Sequence, residues 1–388
     1  MEKIKRRINQ VKILIKTAFY YIFCTVFKPK RYSQTWLISE RGTDARDNGF
    51  AFYRYMKKYH KEVPVKYIIS KSSVDRNKIE DKSDIIEFGS KEHYIAMLTS
   101  KNLISTHTMG YTPDHGLFCK LDRKGMVKLK GKRIFLQHGI IKDDIEAFHN
   151  INVDIFVTAA NPEYKFIKEN FGIKDGAVKG IGLARYDYLE ATKKKFILVM
   201  PTWRRYLYYM NMEEFKESSY FKAWNEFIND EKMIKTLEEN DFKLIFYPHY
   251  EMQKFIDAFQ TKSERVIIAT FNNYDVPKLL CECNMLVTDY SSVAFDIAYM
   301  DKPVLYYQFD FDVFEKGHYQ KGYFDYKING FGPVQIEKNK AIEDVDRYIE
   351  NDFELEQRYK DNKQGFFIFQ DKNNSERTFN CIRELENE

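Results

Sequence analysis

The sequence predicts an α/β protein: two Rossmann-like domains facing each other across a cleft, preceded by an amphipathic helix. Three observations lead there. After Pro29, short runs rich in β-branched and aromatic residues alternate with helix-like stretches, the pattern of a parallel sheet covered by helices on both faces. Ten such runs occur, too many for one small sheet, and a turn-rich connection from Gly172 to Gly182 parts them into two sets. The 388 residues amount to two domains at ~150 residues each, and 44% hydrophobic content is enough to fill two cores. Disordered, collagen-like and disulfide-scaffold classes are thereby excluded. The expected divisions are a helix over 1–31, domains over 32–180 and 181–370, and a terminal helix over 371–388.

The first element carries the charge. Residues 1–31 hold nine Lys or Arg against Glu2 alone, a net of +8 in a chain whose total is +5, so the remainder is slightly acidic. A nucleic-acid-binding body would carry its basic stripe on the folded domains, and nucleic acid is therefore not an expected partner. On a helical wheel Ile4, Ile8, Val11, Ile15, Ala18, Phe19, Ile22 and Val26 share one face, with Lys5, Arg6, Lys12 and Lys16 off it. The run that is apolar all round, Ala18 to Phe27, is ten residues long, short of the ~20 that span a bilayer. The expectation is a helix lying on an anionic membrane surface, where each basic residue adds ~1 kcal/mol. The same helix is suited to packing on its own protein or to pairing two copies as a homo-oligomer. Lys28-Pro29-Lys30-Arg31 stands where a cleaved leader would have small residues, so no signal peptide is expected. Five scattered cysteines without CxxC spacing point to a reducing compartment and away from structural zinc.

The strand candidates follow in order: Thr35–Ser39, Val65–Ser70, Asn102–Ser105, Arg133–Gln137, Ile155–Thr158, Lys195–Met200, Lys243–Tyr247, Arg265–Ala269, Met285–Thr288 and Pro303–Tyr307. Ligands of open α/β sheets sit beyond the carboxyl ends of strands, so the residues just past each run matter most. Four such places are chemically loaded. Gln137-His138-Gly139 puts an imidazole at a strand tip, with Gly139 expected to make the sharp turn, and a neutral His can take a proton from an attacking hydroxyl. Pro201-Thr202-Trp203-Arg204-Arg205 offers a hydroxyl and guanidinium forks suited to phosphate oxygens. Tyr247-Pro248-His249 places a second histidine one step past a strand in the other domain, and the pair suggests proton transfer with charge stabilisation. Thr288-Asp289-Tyr290-Ser291-Ser292, between a buried strand and the helix predicted over Val293–Met300, supplies more donors than a helix cap requires and suits a pyrophosphate.

Other signatures are missing. No GxxxxGK[ST], GxGxxG or HExxH occurs, so ATP-driven, NAD-linked and zinc-protease chemistry lose support. Asp310 and Asp312, alternating with Phe309 and Phe311, read as a loop. The segment Gly317 to Tyr326, with His318 and Tyr319, is rich in polar and aromatic groups.

Together these motifs resemble the CDP-glycerol glycerophosphotransferase family, the polyol-phosphate primases and polymerases of teichoic acids and some capsules. The resemblance runs from about Trp36 to Val334. It is carried by Thr288-Asp-Tyr-Ser-Ser-Val-Ala-Phe-Asp296, Lys302-Pro-Val-Leu-Tyr-Tyr-Gln-Phe-Asp310, Gln137-His-Gly139, Pro201-Thr-Trp-Arg204 and Tyr247-Pro-His249, and by Glu40-Arg-Gly42 followed by Ala45-Arg-Asp47-Asn48-Gly49. Two departures, Leu136-Gln137 where members often carry Trp before His-Gly and Ala184 where Pro often precedes the Arg, leave the subgroup open.

The resemblance implies a GT-B architecture and a CDP-polyol donor, CDP-glycerol or CDP-ribitol, bound mainly by the C-terminal domain, with no cofactor or metal required. It makes His138 the base for the acceptor hydroxyl and His249 a partner that stabilises charge. Arg204, Ser291, Ser292 and Thr202 would hold the pyrophosphate, Asp289 would shape that loop, and Glu40, Asp47 and Asn48 would lie on the acceptor side. The acceptor it implies is a polyprenyl-diphosphate-linked glycan or growing polymer, met by a peripheral enzyme at the cytoplasmic face of the membrane. The reaction is attack of a hydroxyl on the donor's β-phosphorus with CMP leaving, which needs positioning and charge neutralisation more than covalent chemistry. A GT-B glycosyltransferase using a nucleotide sugar and a catalytically silent membrane scaffold are the rival readings.

Overall fold

The protein is described by a computed structural model covering residues 2–317 and 320–388; His318 and Tyr319 lie outside the described residues. The chain forms two compact units. The first comprises Met1–Ile140, Glu146–Tyr188 and Ile368–Glu388, and the second Ile141–Ile145 and Leu189–Phe367.

The first unit is built on seven strands: β1 (Trp36–Ser39), β2 (Val65–Ile69), β3 (Ile85–Glu87), β4 (Asn102–Ser105), β5 (Lys132–Phe135), β6 (Ile155–Thr158) and β7 (Val178–Gly180). They lie in the order β3-β2-β1-β4-β5-β6-β7, every pair parallel. The second unit has β8 (Phe196–Val199), β9 (Lys243–Phe246), β10 (Val266–Ile268), β11 (Met285–Thr288), β12 (Val304–Tyr307) and β13 (Val334–Gln335), in the order β10-β9-β8-β11-β12-β13, again all parallel. Central strands such as Phe196-Ile-Leu-Val199 and Met285-Leu-Val-Thr288 are buried along their whole length, as unbroken apolar runs covered on both faces must be. Both units thus repeat one doubly wound strand order. In each, the connections run outward in opposite directions from a pair of neighbouring strands, β1 and β4 in one, β8 and β11 in the other. A crevice opens there beyond the strand ends.

All ten expected strands are present to within a residue or two at their ends. The three that sequence reading missed, β3, β7 and β13, have two or three residues each and sit at sheet edges. β7 falls inside the connection expected to be only turns, Gly172 to Gly182. Asp310 lies in a turn, as expected, but is buried at 7% exposed, whereas Asp312, also expected in a loop, falls in the helix Phe311–Gly317.

The helix Asn374–Asn387 closes the first unit beneath the amino end of its central strands. Asp187 accepts from the amides of Asn374 and Ser375 at 2.9 and 2.7 Å, satisfying the helix's first turn. At the other end the buried Glu386 carboxylate accepts from the Trp36 indole at 3.0 Å and from Asn102 at 2.7 Å, and pairs with Lys101 at 3.1 Å.

The N-terminal helix is continuous from Glu2 to Phe27. Its length corrects the sequence reading: taken whole, Ile4–Phe27 is long and apolar enough to cross a membrane by length and composition. One flank is docked. Ile13 and Cys24 are buried, Tyr20 stacks on Tyr94 with ring centroids 5.3 Å apart, and Gln10 donates to Asp114 at 3.2 Å. The apolar face drawn from the helical wheel points the other way, with Ile4, Ile8, Val11, Ile15, Phe19, Ile22 and Val26 between 51% and 65% exposed.

Candidate active site

In the first unit the chain leaving β1 folds over the sheet and enters the helix Asn48–Tyr59. Glu40, 2% exposed, receives the amides of Arg46 (3.0 Å), Asp47 (2.9 Å) and Phe50 (3.0 Å), which fixes that turn. Burial, with the neighbouring Asp47 charge, pushes the Glu40 pKa up to about 7. Asp47 caps the helix through Oδ1, which accepts from Asn48 N at 2.7 Å, and its Oδ2 is bonded to Nδ1 of His138. Arg185 completes the cluster, donating to Asp47 Oδ1 at 2.8 Å and to the His138 carbonyl. Burial alone would raise the Asp47 pKa; His138 and Arg185 together outweigh it and hold the carboxyl well below the usual range. Asn48 is fully buried and ties two loops together, donating to Gln137 O and accepting from Arg185 N, both at 3.0 Å.

The backbone at the tip of β5 explains how an imidazole comes to stand there. Gln137 takes the left-handed conformation (φ 61°), and its fully buried side chain is anchored on Glu163 at 3.2 Å and on the Val157 carbonyl. The turn expected of Gly139 is therefore made at a non-glycine residue, a conformation the surrounding bonds must hold. His138 follows with its side chain 69% exposed. With Nδ1 donating to Asp47, the neutral ring offers the Nε2 lone pair outward, the tautomer and orientation of a general base. The Asp47 carboxylate raises the His138 pKa above its ordinary value. His107, beyond β4, has its ring 5.2 Å from that of His138; burial first, then the His138 charge, push its pKa down to about 3, so it stays neutral.

In the second unit the loops after β8 and β11 are knitted by Arg204. Its guanidinium is 1% exposed and donates to Asp310 at 2.8 and 2.9 Å, to Asp289 at 2.8 Å and to the Thr202 carbonyl at 2.7 Å. The rings of Phe314, Tyr290 and Tyr220 surround it at 4.8, 5.0 and 5.3 Å. The expectation that this fork grips phosphate oxygens is revised: four of its donor bonds are already made within the protein, and its charge is outnumbered by two carboxylates. Asp289, fully buried, also accepts from the amides of Thr202 (2.8 Å) and Tyr290 (2.6 Å) and so sets the path of the loop. Ser291 and Ser292 are half-buried at the start of the short helix Val293–Tyr299. The Thr202 hydroxyl is buried without a hydrogen-bond partner. His249 is exposed past β9; its Nδ1 accepts from Glu251 N at 3.2 Å and its ring stacks on Trp203, centroids 6.2 Å apart.

His138, Asp47, Asn48 and Glu40 therefore gather in the first unit, and Thr202, Arg204, Asp289, Ser291, Ser292 and His249 in the second. Glu40, Asp47 and Asn48, expected to lie on the acceptor side, direct their polar atoms at backbone, Arg185 and His138. Sequence reasoning missed Arg185, His107 and Asp310. His107 was within reach, since the Asn102–Ser105 strand was assigned and His107 stands two residues past its end.

The chain matches the family model described as CDP-Glycerol:Poly(glycerophosphate) glycerophosphotransferase over residues 20–384. It is 33% identical over 400 residues to the minor teichoic acid biosynthesis protein GgaB of Bacillus subtilis (strain 168), a match covering all of this chain and 43% of that protein. To the teichoic acid glycerol-phosphate primase of the same organism it is 28% identical over 189 residues, 45% of each. It spans about half the length of the curated relatives it matches. Among solved structures, the wall teichoic acid polymerase TagF soaked with CDPG superposes with a TM-score of 0.70 at 17% identity, over 96% of this chain and 98% of that one, which shows a shared fold.

Proposed function

This chain belongs to the CDP-glycerol:poly(glycerophosphate) glycerophosphotransferase family, and from that premise we propose that it transfers a polyol phosphate, glycerol phosphate favoured, from a CDP-polyol to a hydroxyl of a membrane-lipid-linked acceptor in teichoic acid or capsule synthesis, releasing CMP. The observation that carries the proposal is the His138 ring, exposed at a strand tip while its Nδ1 is bonded to a buried carboxylate held by Arg185. In this reading Nε2 of His138 takes the proton of the acceptor hydroxyl as its oxygen attacks the donor's β-phosphorus. The bond to the CMP oxygen breaks in line, and the new phosphodiester carries the polyol phosphate. Ser291, Ser292 and Thr202 receive the diphosphate oxygens, Asp289 and Arg204 keep that loop in shape, and His249 stabilises charge on the phosphates.

The solvent-facing apolar stripe of the N-terminal helix supports a peripheral position on the cytoplasmic face of the membrane. The docked flank leaves that stripe free to enter an interface while the basic side chains meet anionic headgroups. The test is CMP release from CDP-glycerol and from CDP-ribitol, each with a prenyl-diphosphate disaccharide, product length being read by mass spectrometry. Release with one donor supports the reading and fixes the polyol. Silence with both, or turnover of a UDP-sugar instead, overturns it.

A further inference from the structure

The charges around the donor loop do not balance for a diphosphate ligand. Of the two arginines that the sequence offered, Arg204 is enclosed by Asp289 and Asp310, the trio carrying a net −1 next to Ser291, and Arg205 is exposed to solvent. A nucleoside diphosphate carries more negative charge than one exposed arginine offsets beside that trio, so a further cation near the loop would stabilise it. One arrives on a segment with no other assigned purpose. Three residues past His138 the chain passes into the second unit for five residues, Ile141–Ile145, before returning to the first. This strap is tightly seated: Asp144 N donates to Gln320 O at 2.9 Å in an antiparallel bridge, and Gly322 packs so closely that a Cβ there would lie 2.1 Å from the Lys142 carbonyl.

Lys142, at the strap's centre, has a side chain only 8% exposed, paired with Asp143 and lying 5.4 Å over the ring of Tyr326. The Tyr326 hydroxyl donates to the Tyr290 carbonyl at 3.1 Å, so a single ring separates this ammonium from the main chain that leads into Ser291. Burying a lysine is costly unless its charge is used, and Asp143, 23% exposed, is a partner that can turn toward solvent. Beside the same loop, the buried Thr202 hydroxyl has no partner.

We propose that Lys142 is a ligand of the donor's diphosphate, supplying the positive charge that Arg204 does not. The inference rests on the donor reading above and adds a residue that neither the sequence motifs nor that reading assigned.

The test is a set of dissociation constants for CDP-glycerol, CDP and cytidine, measured by calorimetry and ligand-observed NMR on the full chain and on Lys142→Met, Lys142→Arg and Asp143→Asn. Loss of a charge-assisted bond to phosphate predicts that Lys142→Met weakens CDP and CDP-glycerol about 10- to 100-fold while cytidine stays within about twofold. Lys142→Arg restores most of the affinity, and Asp143→Asn, which frees the ammonium, tightens CDP. A structural prop would lose cytidine along with CDP, so equal losses for both ligands, or unchanged CDP binding in Lys142→Met, overturn the inference. Wild-type protein that binds no CDP-polyol at all removes the donor reading itself, a result distinguishable from either.

Discussion

Replacing Asp47 with Asn isolates the electrostatic part of the cluster around His138. Asparagine is as good a helix cap as aspartate, so the helix Asn48–Tyr59 keeps its start and the melting temperature stays within a few degrees. What changes is the charge beside His138. In the native cluster the carboxylate raises the His138 pKa, so a reaction that needs the neutral ring speeds up with pH through a value above the ordinary ~6.5. Without it, Arg185 remains against the His138 carbonyl with no anion between them. Two unit charges ~4 Å apart are worth about 4 kcal/mol at an effective dielectric of ~20. The ring is 69% exposed, so solvent screens most of that interaction and only part of it reaches the imidazole. The acid limb of kcat for CMP release should therefore move to lower pH. At its plateau the rate should fall ~10²- to 10⁴-fold, because an amide at this position no longer fixes the Nδ1–H tautomer. CMP release followed from pH 5 to 9 for both proteins is the assay. An acid limb that stays in place or moves up, or a plateau within twofold of wild type, refutes the orienting role of Asp47.

Arg204→Met should destabilise the protein by about 3–5 kcal/mol, since Asp289 and Asp310 are left buried without their counter-ion; an unchanged thermal melt would show that these carboxylates find other partners. Ile15→Asp combined with Ile22→Asp alters the exposed stripe of the N-terminal helix and leaves the Ile13, Tyr20 and Cys24 flank untouched. Sedimentation with vesicles rich in anionic lipid should drop at least tenfold while the melting temperature is kept, and full retention on the vesicles would count against membrane attachment through this face.

Strands such as Phe196–Val199 and Met285–Thr288 could be read directly because burial on both faces demands an unbroken apolar run, which leaves a local trace. β3, β7 and β13 leave none: an edge strand of two or three residues is defined by its neighbour, as when Ile85 pairs with Tyr67. His138 was legible for a similar reason, since a polar residue just past a buried strand has a predictable place. The fate of Arg204 was not. Its partner Asp310 lies 106 residues away, and an arginine near a phosphate site looks the same in sequence whether it faces the ligand or two carboxylates. The Asp47–His138 contact spans 91 residues, so the bond that gives the histidine its orientation is likewise a property of the folded sheet.

The helix that carries Glu386 also sets a timetable. The first unit's other segments end at Tyr188, and its last begins at Ile368. With translation at ~5–20 residues per second, the intervening residues Leu189–Phe367 take roughly 10–40 s to emerge. Until then the Trp36 indole and the Asn102 amide at the foot of the central strands have no carboxylate to meet. During the same interval the N-terminal helix, with its apolar stripe uncovered, is already off the ribosome. Were the stripe to meet lipid as proposed, a nascent chain of this design would do so before its first domain is finished, and attachment and folding would compete in time as well as in free energy.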